Sequence, residues 1–309
     1  MQKRSVQAPS AAIMIRPHRF HPNPATQADN AFQTTPDTDG ADILAKRAHQ
    51  EVTQAANALR NLGVRIDLFE DQGDETPDSV FPNNWFSTHH GGHVAVYPMF
   101  PENRRGERRM DVIELLKHDF RVQDVIDYSG LEPDGLFLEG TGAMVLDHQD
   151  RVAYVIRSNR ADPVLLERFC THFNYEPMVF DAVDRNGTPI YHTNVLMCIA
   201  TEFVLIGLEM IPDETRASEI KARLAEAGRI VIALSTQQIE KFAGNAIELQ
   251  GEKGRILALS QTAMDSLTET QIGLIEQSAQ LVPLAIPTIE MAGGSVRCMI
   301  AGNHLSERN

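Results

Sequence analysis

Almost from end to end, the chain alternates short β-branched and aliphatic runs with longer amphipathic stretches, and this rhythm limits its fold more than any other feature. Runs such as AAIMIRP (11–17), VRIDLFE (64–70), HVAVYPM (93–99), VAYVIR (152–157), FVLIGL (203–208), RIVIALS (229–235) and RILALS (255–260) read as strands. LFLEG (136–140), GAMVLD (142–147), VLMCIA (195–200), IELQ (247–250) and SVRCMIA (295–301) read the same way. Helices are expected from Ala41 to a stop at Gly63, and from near Asp111, Asp162, Asp213, Thr236 and Thr268. TETQ at 268–271 is a capping box, threonine as N-cap and glutamine three residues on. Two strands, a helix and a further strand recur several times without visible sequence repeats, which predicts an α/β fold. No G-x-G-x-x-G follows a strand and no phosphate-cradling loop is present. No Pro/Gly/Ser-rich linker cuts the chain, so residues 1–309 are expected to form a single domain behind a flexible tail of residues 1–10.

Composition removes several functional classes. A net charge of −14, with ENRRGERR (102–109) the one basic run and that broken by acids, disfavours a nucleic-acid partner. The longest apolar run, FVLIGLEMI from Phe203, is too short for a membrane span, and the N-terminus has no signal-peptide core. Cys170, Cys198 and Cys298 are too widely spaced for a disulfide framework or a metal site, which leaves the cytoplasm as the default location. His89, His90 and His93 in HHGGH lack a nearby carboxylate and read as a polar loop rather than a metal centre.

Three residues stand apart by their neighbours. Free cysteine is usually one more buried small hydrophobe, and Cys170 and Cys198 fit that description. Cys298 differs, because Gly293 and Gly294 precede it and Arg297 adjoins it with a charge that favours a thiolate. His192 follows the turn DRNGTP at a strand edge. Glu139 ends an apolar run beside Gly140 and Gly142, where it either meets His192 or sits in a glycine-rich hairpin facing water. Cysteine, histidine and glutamate can serve as nucleophile, acid/base and orienter.

Five motifs in order resemble the guanidino-group-modifying superfamily of arginine deiminases, dimethylarginine hydrolases and amidinotransferases. PDSVF (77–81) is similar to the start of D-S-V-F-x-E-D, FLEG (137–140) to F-L-E-G-G-D, YHTN (191–194) to H-x-D, and GGSVRCM (293–299) to the glycine-rich segment that ends in the reactive cysteine. IRSNRAD (156–162) resembles the segment whose arginine grips the substrate α-carboxylate, which falls on Arg160. The resemblance implies a pseudo-fivefold α/β propeller (pentein) of ββαβ modules around a central site. It also implies catalysis by Cys298, His192 and Glu139 without cofactor or metal.

The departures point to the substrate. Where relatives carry acidic residues this chain has Asn83 and Asn84, and H-x-D becomes His192-Thr193-Asn194. An alignment anchored on Phe86 would put His89 in the clamp position instead, but the ungapped match favours Asn84. A guanidinium offers only donors and a positive charge, whereas a ureido group is neutral and adds a carbonyl acceptor that asparagine can serve. On this reading Asn83, Asn84 and Asn194 hold the ureido group of citrulline and Arg160 its carboxylate, with Asp78 or the Asn23–Asn30 loop at the amino group. The sequence most resembles the citrulline-utilisation branch, in which Cys298 would form an S-carbamoyl intermediate and release ornithine, ammonia and carbon dioxide. The alternatives are a guanidino enzyme, deiminase or amidinotransferase, and a non-catalytic propeller scaffold. A small amino-acid substrate is the expected partner, and a homodimer is compatible with the sequence.

Overall fold

The computed structural model describes residues 6–28, 30–34 and 40–308. The strands it contains are β1 (Ala11–Pro17), β2 (Arg65–Asp71), β3 (Phe86–His89), β4 (His93–Val96), β5 (Asp124–Asp127), β6 (Met144–Asp147), β7 (Val152–Ile156) and β8 (Glu176–Phe180). They continue with β9 (Met197–Ile199), β10 (Phe203–Ile206), β11 (Ile230–Ala233), β12 (Ile247–Gly251), β13 (Gly254–Ser260), β14 (Gln280–Leu284) and β15 (Ala301–Asn303). These make five three-stranded sheets, β3-β4-β5, β6-β7-β8, β9-β10-β11, β12-β13-β14 and β15-β1-β2. In each, an inner strand pairs antiparallel with the middle one, and the middle one pairs parallel with an outer strand. A parallel pair needs a crossover, and each module supplies it with a helix between middle and outer strands. This is the α/β pentein-type arrangement. Its fifth sheet closes the ring by pairing β15, near the C-terminus, with β1.

The helices begin where the sequence places them. Asp162 caps Pro163–Phe173 by accepting from the Val164 and Leu165 amides, and Asp213 caps Glu214–Ala225 by the same device. Thr268 and Gln271 form the expected capping box. The longest helix, Ala41–Asn61, turns Leu44, Ala48, Val52, Ala55 and Leu59 inward as one stripe against β1 and β2.

Two groups of expectations change. The outer strands β5, β8 and β14 were not legible, since their half-exposed sequences break the apolar pattern and two contain proline (Pro177, Pro283), which an edge strand tolerates. Conversely, LFLEG forms no strand, and the first residues of GAMVLD, VLMCIA and SVRCMIA coil into one-turn helices, Gly140–Ala143, Thr193–Leu196 and Val296–Met299. A similar turn, Pro82–Asn84, precedes β3, so β-like composition there reflects burial at the ring axis. Residues 1–5 of the expected tail lie outside the described residues. Gln7 and Ala8 are buried, and the Gln7 side chain donates to the Leu146 and Ile199 carbonyls and accepts from the His148 amide. Residues 7 and 8 are therefore packed into the fold.

Candidate active site

The one-turn helices deliver side chains to the ring axis, one set per module. Pro82–Asn84 brings Asn84, Gly140–Ala143 follows Glu139, Thr193–Leu196 follows His192 and carries Asn194, and Val296–Met299 carries Cys298. The fourth module has a turn before β12 that brings Asn245. Cys298, His192, Asn84, Asp78, Arg104 and Arg160 line one narrow cavity, with Asn30 at its rim.

Of the three candidates, His192 and Glu139 are hydrogen-bonded to each other, and Cys298 lines the same cavity as His192. Glu139 is fully buried, and its Oε2 lies 2.8 Å from His192 Nε2 and 3.2 Å from Arg160 Nη1. Its Oε1 accepts from the Phe100 amide. The hairpin reading in which this glutamate faces water is thereby excluded. Burial works to raise the Glu139 pKa, but Arg160, the His192 hydrogen bond and Arg104 outweigh it and hold the carboxyl well below the usual range. His192 shifts in the direction set by burial. Its burial outweighs the support of Glu139 and lowers its pKa to about 4, so the resting imidazole is neutral.

The sulfur of Cys298 is held by amides. Asn194 Nδ2 lies 3.2 Å and Asn245 Nδ2 3.3 Å from Sγ. Asn245 also donates to the Asn194 carbonyl, and its Oδ1 accepts from the Arg297 amide, so its orientation is fixed on both sides. Cys170 and Cys198, in contrast, are core thiols that burial pushes up to about 12. The two glycines before Cys298 are explained by close packing. Gly293 is left-handed (φ 79°), and a Cβ there would stand 2.4 Å from the Asn30 amide; one on Gly294 would stand 2.7 Å from the Phe81 ring.

The remaining candidates divide. Asn84 lines the cavity, its Oδ1 accepting from Arg104 and its buried Nδ2 making no hydrogen bond to described residues. Asn83 is buried but does not line the cavity; its side-chain amide has no hydrogen bond to described residues, and its backbone carbonyl accepts from Thr141. Asn194 serves the sulfur rather than the cavity wall. Arg160 lies in the site beside Glu139, its guanidinium 4.9 Å above the Tyr191 ring. His89 lies at the far end of β3, buried against Phe173, and the shifted alignment is set aside. His93 pairs with Asp124 at the surface and His90 is exposed. Among the described residues, the one grouping with metal-ligand proximity is His18, His49 and Glu70, at the surface, where Arg16 already holds Glu70.

Arg104 and Asn245 were missed. Arg104 belongs to a run that reads as a solvated charged loop, yet it is 3% exposed and forks onto both oxygens of Glu107 at 2.8 Å. Its Nε is 3.5 Å from Asp78, which also accepts from Asn23 at 2.8 Å. The glutamate three residues after Arg104 was the available signal. For Asn245 the signal was its position, immediately before an inner strand.

Among the described residues the buried cluster therefore holds two guanidiniums (Arg104, Arg160) and three acidic side chains (Asp78, Glu107, Glu139). The excess is visible in two places. Burial pushes Glu107 up to about 7 against the pull of Arg104, and Asp78 Oδ1 has no hydrogen-bond partner among the described residues. Asn84 Nδ2 is likewise unpartnered, so two buried polar atoms of cavity-lining residues have no hydrogen bond to described residues.

A family model described as N,N dimethylarginine dimethylhydrolase, eukaryotic, matches residues 16–305. Comparison with curated proteins finds no match. Among solved structures, the chain is similar to apo ArgZ, an arginine dihydrolase from the ornithine–ammonia cycle in cyanobacteria (17% identity, TM-score 0.72), over 94% of this chain and 40% of that one. Unliganded AgrE is similar at 18% identity and TM-score 0.72, over 94% and 38% of the two chains. A dimethylarginine dimethylaminohydrolase adduct with S-methyl-L-thiocitrulline is similar at 12% identity and TM-score 0.62, over 96% and 99%. At these identities the likeness is one of fold, and this chain spans about two-fifths of the length of ArgZ and AgrE.

Proposed function

The chain belongs to the N,N dimethylarginine dimethylhydrolase family of guanidino-group-modifying hydrolases, and from that premise we propose that it is a cysteine hydrolase, one catalytic domain, acting on an arginine-type amino acid. The proposed reaction runs past the ureido stage to ornithine. This extends the citrulline expectation by a preceding step on the guanidino compound. The observation that supports it is the charge of the cluster: among the described residues three buried acidic side chains, Glu107 among them only partly ionised near neutral pH, face two guanidiniums, a balance that a net-cationic substrate completes better than neutral citrulline.

In the proposed sequence the substrate α-carboxylate is held by Arg160 and Arg104, and its ammonium by Asp78 Oδ1. The Cys298 sulfur attacks the guanidinium carbon, and its proton passes to neutral His192, whose imidazolium Glu139 stabilises. His192 returns the proton to the departing nitrogen, and ammonia leaves an S-amidino thioether. Water, deprotonated by His192, adds to that carbon and expels the thiolate, giving the ureido compound. A second attack then passes through an oxyanion that the free Asn84 Nδ2 is placed to receive. Loss of a second ammonia leaves an S-carbamoyl enzyme, and its hydrolysis gives an N-carboxy amine that breaks down to ornithine and carbon dioxide. The neutral amides at Asn84, Asn194 and Asn245 favour this second stage, since a carboxylate there would repel the ureido oxygen. The similarity in fold to ArgZ, an arginine dihydrolase, supports the two-stage reading.

The test is a nitrogen balance. Purified protein is incubated with arginine, citrulline or N,N-dimethylarginine, and ammonia, dimethylamine, citrulline and ornithine are quantified. Two ammonia per ornithine from arginine and one from citrulline are expected. Accumulation of citrulline as end product would reduce the activity to a deiminase. Turnover of citrulline with arginine inert would overturn the charge argument and restore the ureido-only reading.

A further inference from the structure

Glu107 is buried and lies outside the lining of the substrate cavity, so the reaction described above gives it no task beyond its charge. It closes the 3-10 turn Glu102–Glu107, three residues after Arg104. Such a turn holds three residues, so side chains at i and i+3 stand one above the other. Arg104 and Glu107 therefore meet without help from a distant segment. Nε donates to Oε1 and Nη2 to Oε2, each at 2.8 Å. The chain just ahead of the turn is tied to the site as well, because the Phe100 amide donates to Glu139 Oε1.

A guanidinium has five N–H donors in a rigid plane, so fixing two of its edges dictates what the third presents. On Arg104, Glu107 engages Nε and Nη2, and Nη2 also donates to Asn84 Oδ1 at 3.1 Å. Nη1 has no hydrogen-bond partner among the described residues; Glu139 Oε2 stands 3.8 Å away, in charge contact only. Arg104 lines the cavity together with Arg160, and the two donors of Nη1 are the ones left for a ligand. Released from the fork, the long side chain would be free to turn toward Asp78, whose Oδ2 is 3.5 Å from Nε, or toward Glu139. The cavity would then lose a cation held in a fixed direction.

We propose that Glu107 is a positioning residue for the substrate α-carboxylate, and that by locking Arg104 it makes the site select amino acids over the amines that lack that group. The proposal rests on the arginine-type substrate put forward above. It differs from the charge balance of the cluster, and the two make opposite predictions when Glu107 is removed. Loss of a negative charge alone weakens a diamine, which is doubly positive, more than the matching diamino acid, whose carboxylate lowers its net charge. Loss of the lock weakens the diamino acid more, because only it has a carboxylate for Arg104 to hold.

Binding without turnover separates these outcomes. Ornithine and putrescine, which is ornithine without its carboxylate, are titrated calorimetrically into wild type and Glu107→Ala. Wild type should bind ornithine more tightly, and the variant should lose about tenfold of that preference, the value of one charge-assisted hydrogen bond. A merely structural defect would weaken both ligands together and leave their ratio unchanged. Should the alanine variant fail to fold, Glu107→Gln, of the same shape but with one acceptor fewer for the fork, is expected to shift the ratio in the same direction. An unchanged ratio overturns the proposal, as does a variant in which putrescine is the more weakened ligand, or a wild type that binds both alike. The nitrogen balance tests the substrate reading separately. Ammonia release with an unchanged ratio would leave that reading standing and Glu107 without its role, and a shifted ratio without turnover would do the reverse.

Discussion

Adding one methyl group at Gly142 tests whether the cavity geometry, and not merely its residue inventory, supports the chemistry. A Cβ on Gly142 would stand 2.1 Å from Asn84 Nδ2 and 2.8 Å and 2.9 Å from His192 Nδ1 and Cε1. Ordinary contact begins near 3.4 Å, so the amide must retreat by about 1.3 Å and the ring by about 0.6 Å. Neither group is free to do so, because Arg104 holds Asn84 at 3.1 Å and Glu139 holds His192 at 2.8 Å. Overpacking of this kind costs ~1–3 kcal/mol of stability. Misplacing a catalytic group by ~1 Å costs on the order of 100-fold in rate. Gly142→Ala should therefore lower kcat/KM for ammonia release by about that factor while the thermal midpoint falls by only a few degrees. Gly130→Ala is the control, since a Cβ there meets nothing within 4 Å. An unchanged kcat/KM in folded Gly142→Ala would show that Asn84 and His192 do not need their observed positions, and the mechanism built on them would fail.

Cys298→Ala should abolish turnover of every substrate while leaving the circular dichroism spectrum unchanged; residual ammonia release would remove the sulfur from the reaction. Asn84→Asp should shift the arginine-to-citrulline ratio of kcat/KM toward arginine by about tenfold, or ~1.4 kcal/mol, because a carboxylate attracts the guanidinium and repels the ureido oxygen; an unchanged ratio would place Asn84 outside the reacting contacts. The neutral histidines predict acid lability. His192 and His304 titrate in the folded protein at about 4 and 3, below the ordinary 6.5, so the unfolded chain binds more protons as pH falls. Stability present above about pH 6.5 should decline toward about pH 4, His192 alone accounting for ~3 kcal/mol at full effect, and urea melts that are flat over this window would contradict it. Arg229→Met strands the buried Asp147, whose two oxygens Arg229 holds at 2.6 and 3.0 Å, and should cost ~3–5 kcal/mol by chemical denaturation; a near-neutral change would mean that Asp147 finds another partner.

The sequence exposed those parts of the molecule whose local chemistry is unambiguous. Asp162, Asp213 and Thr268 announce helix starts because a side chain that caps its own backbone needs no tertiary partner. Glu139, His192 and Cys298 were legible because each lies beside glycine or a turn within an apolar run. What stayed hidden depends on distant partners. Arg104 looks like surface charge until Glu107 and Asp78 are brought around it, and Asn245 carries no signal apart from its position before β12. The excess of carboxylate is a property of the assembled ring, since Asp78, Glu107 and Glu139 lie on separate segments. For that reason motif reading, which compared residues pair by pair, favoured a neutral substrate.

The repeated local device explains why this fold gathers a site from such scattered residues. Each inner strand is short, and the turn before it sits at the axis, where five modules converge and no room remains for a long loop. One side chain per turn is then enough to build a closed cavity, and its character is set by what each of the five positions carries. Replacing carboxylates by amides at two of them would leave a guanidinium without counter-charge if the cavity had no other acids. Here Asp78, with Glu107 to the extent that it ionises, supplies negative charge outside those turns, while the amides Asn84, Asn194 and Asn245 keep the turns themselves neutral. On the two-stage reading proposed above, a site divided in this way would hold a cation by its surroundings and a ureido group by its immediate contacts, as passage of one substrate through both hydrolyses without release would require.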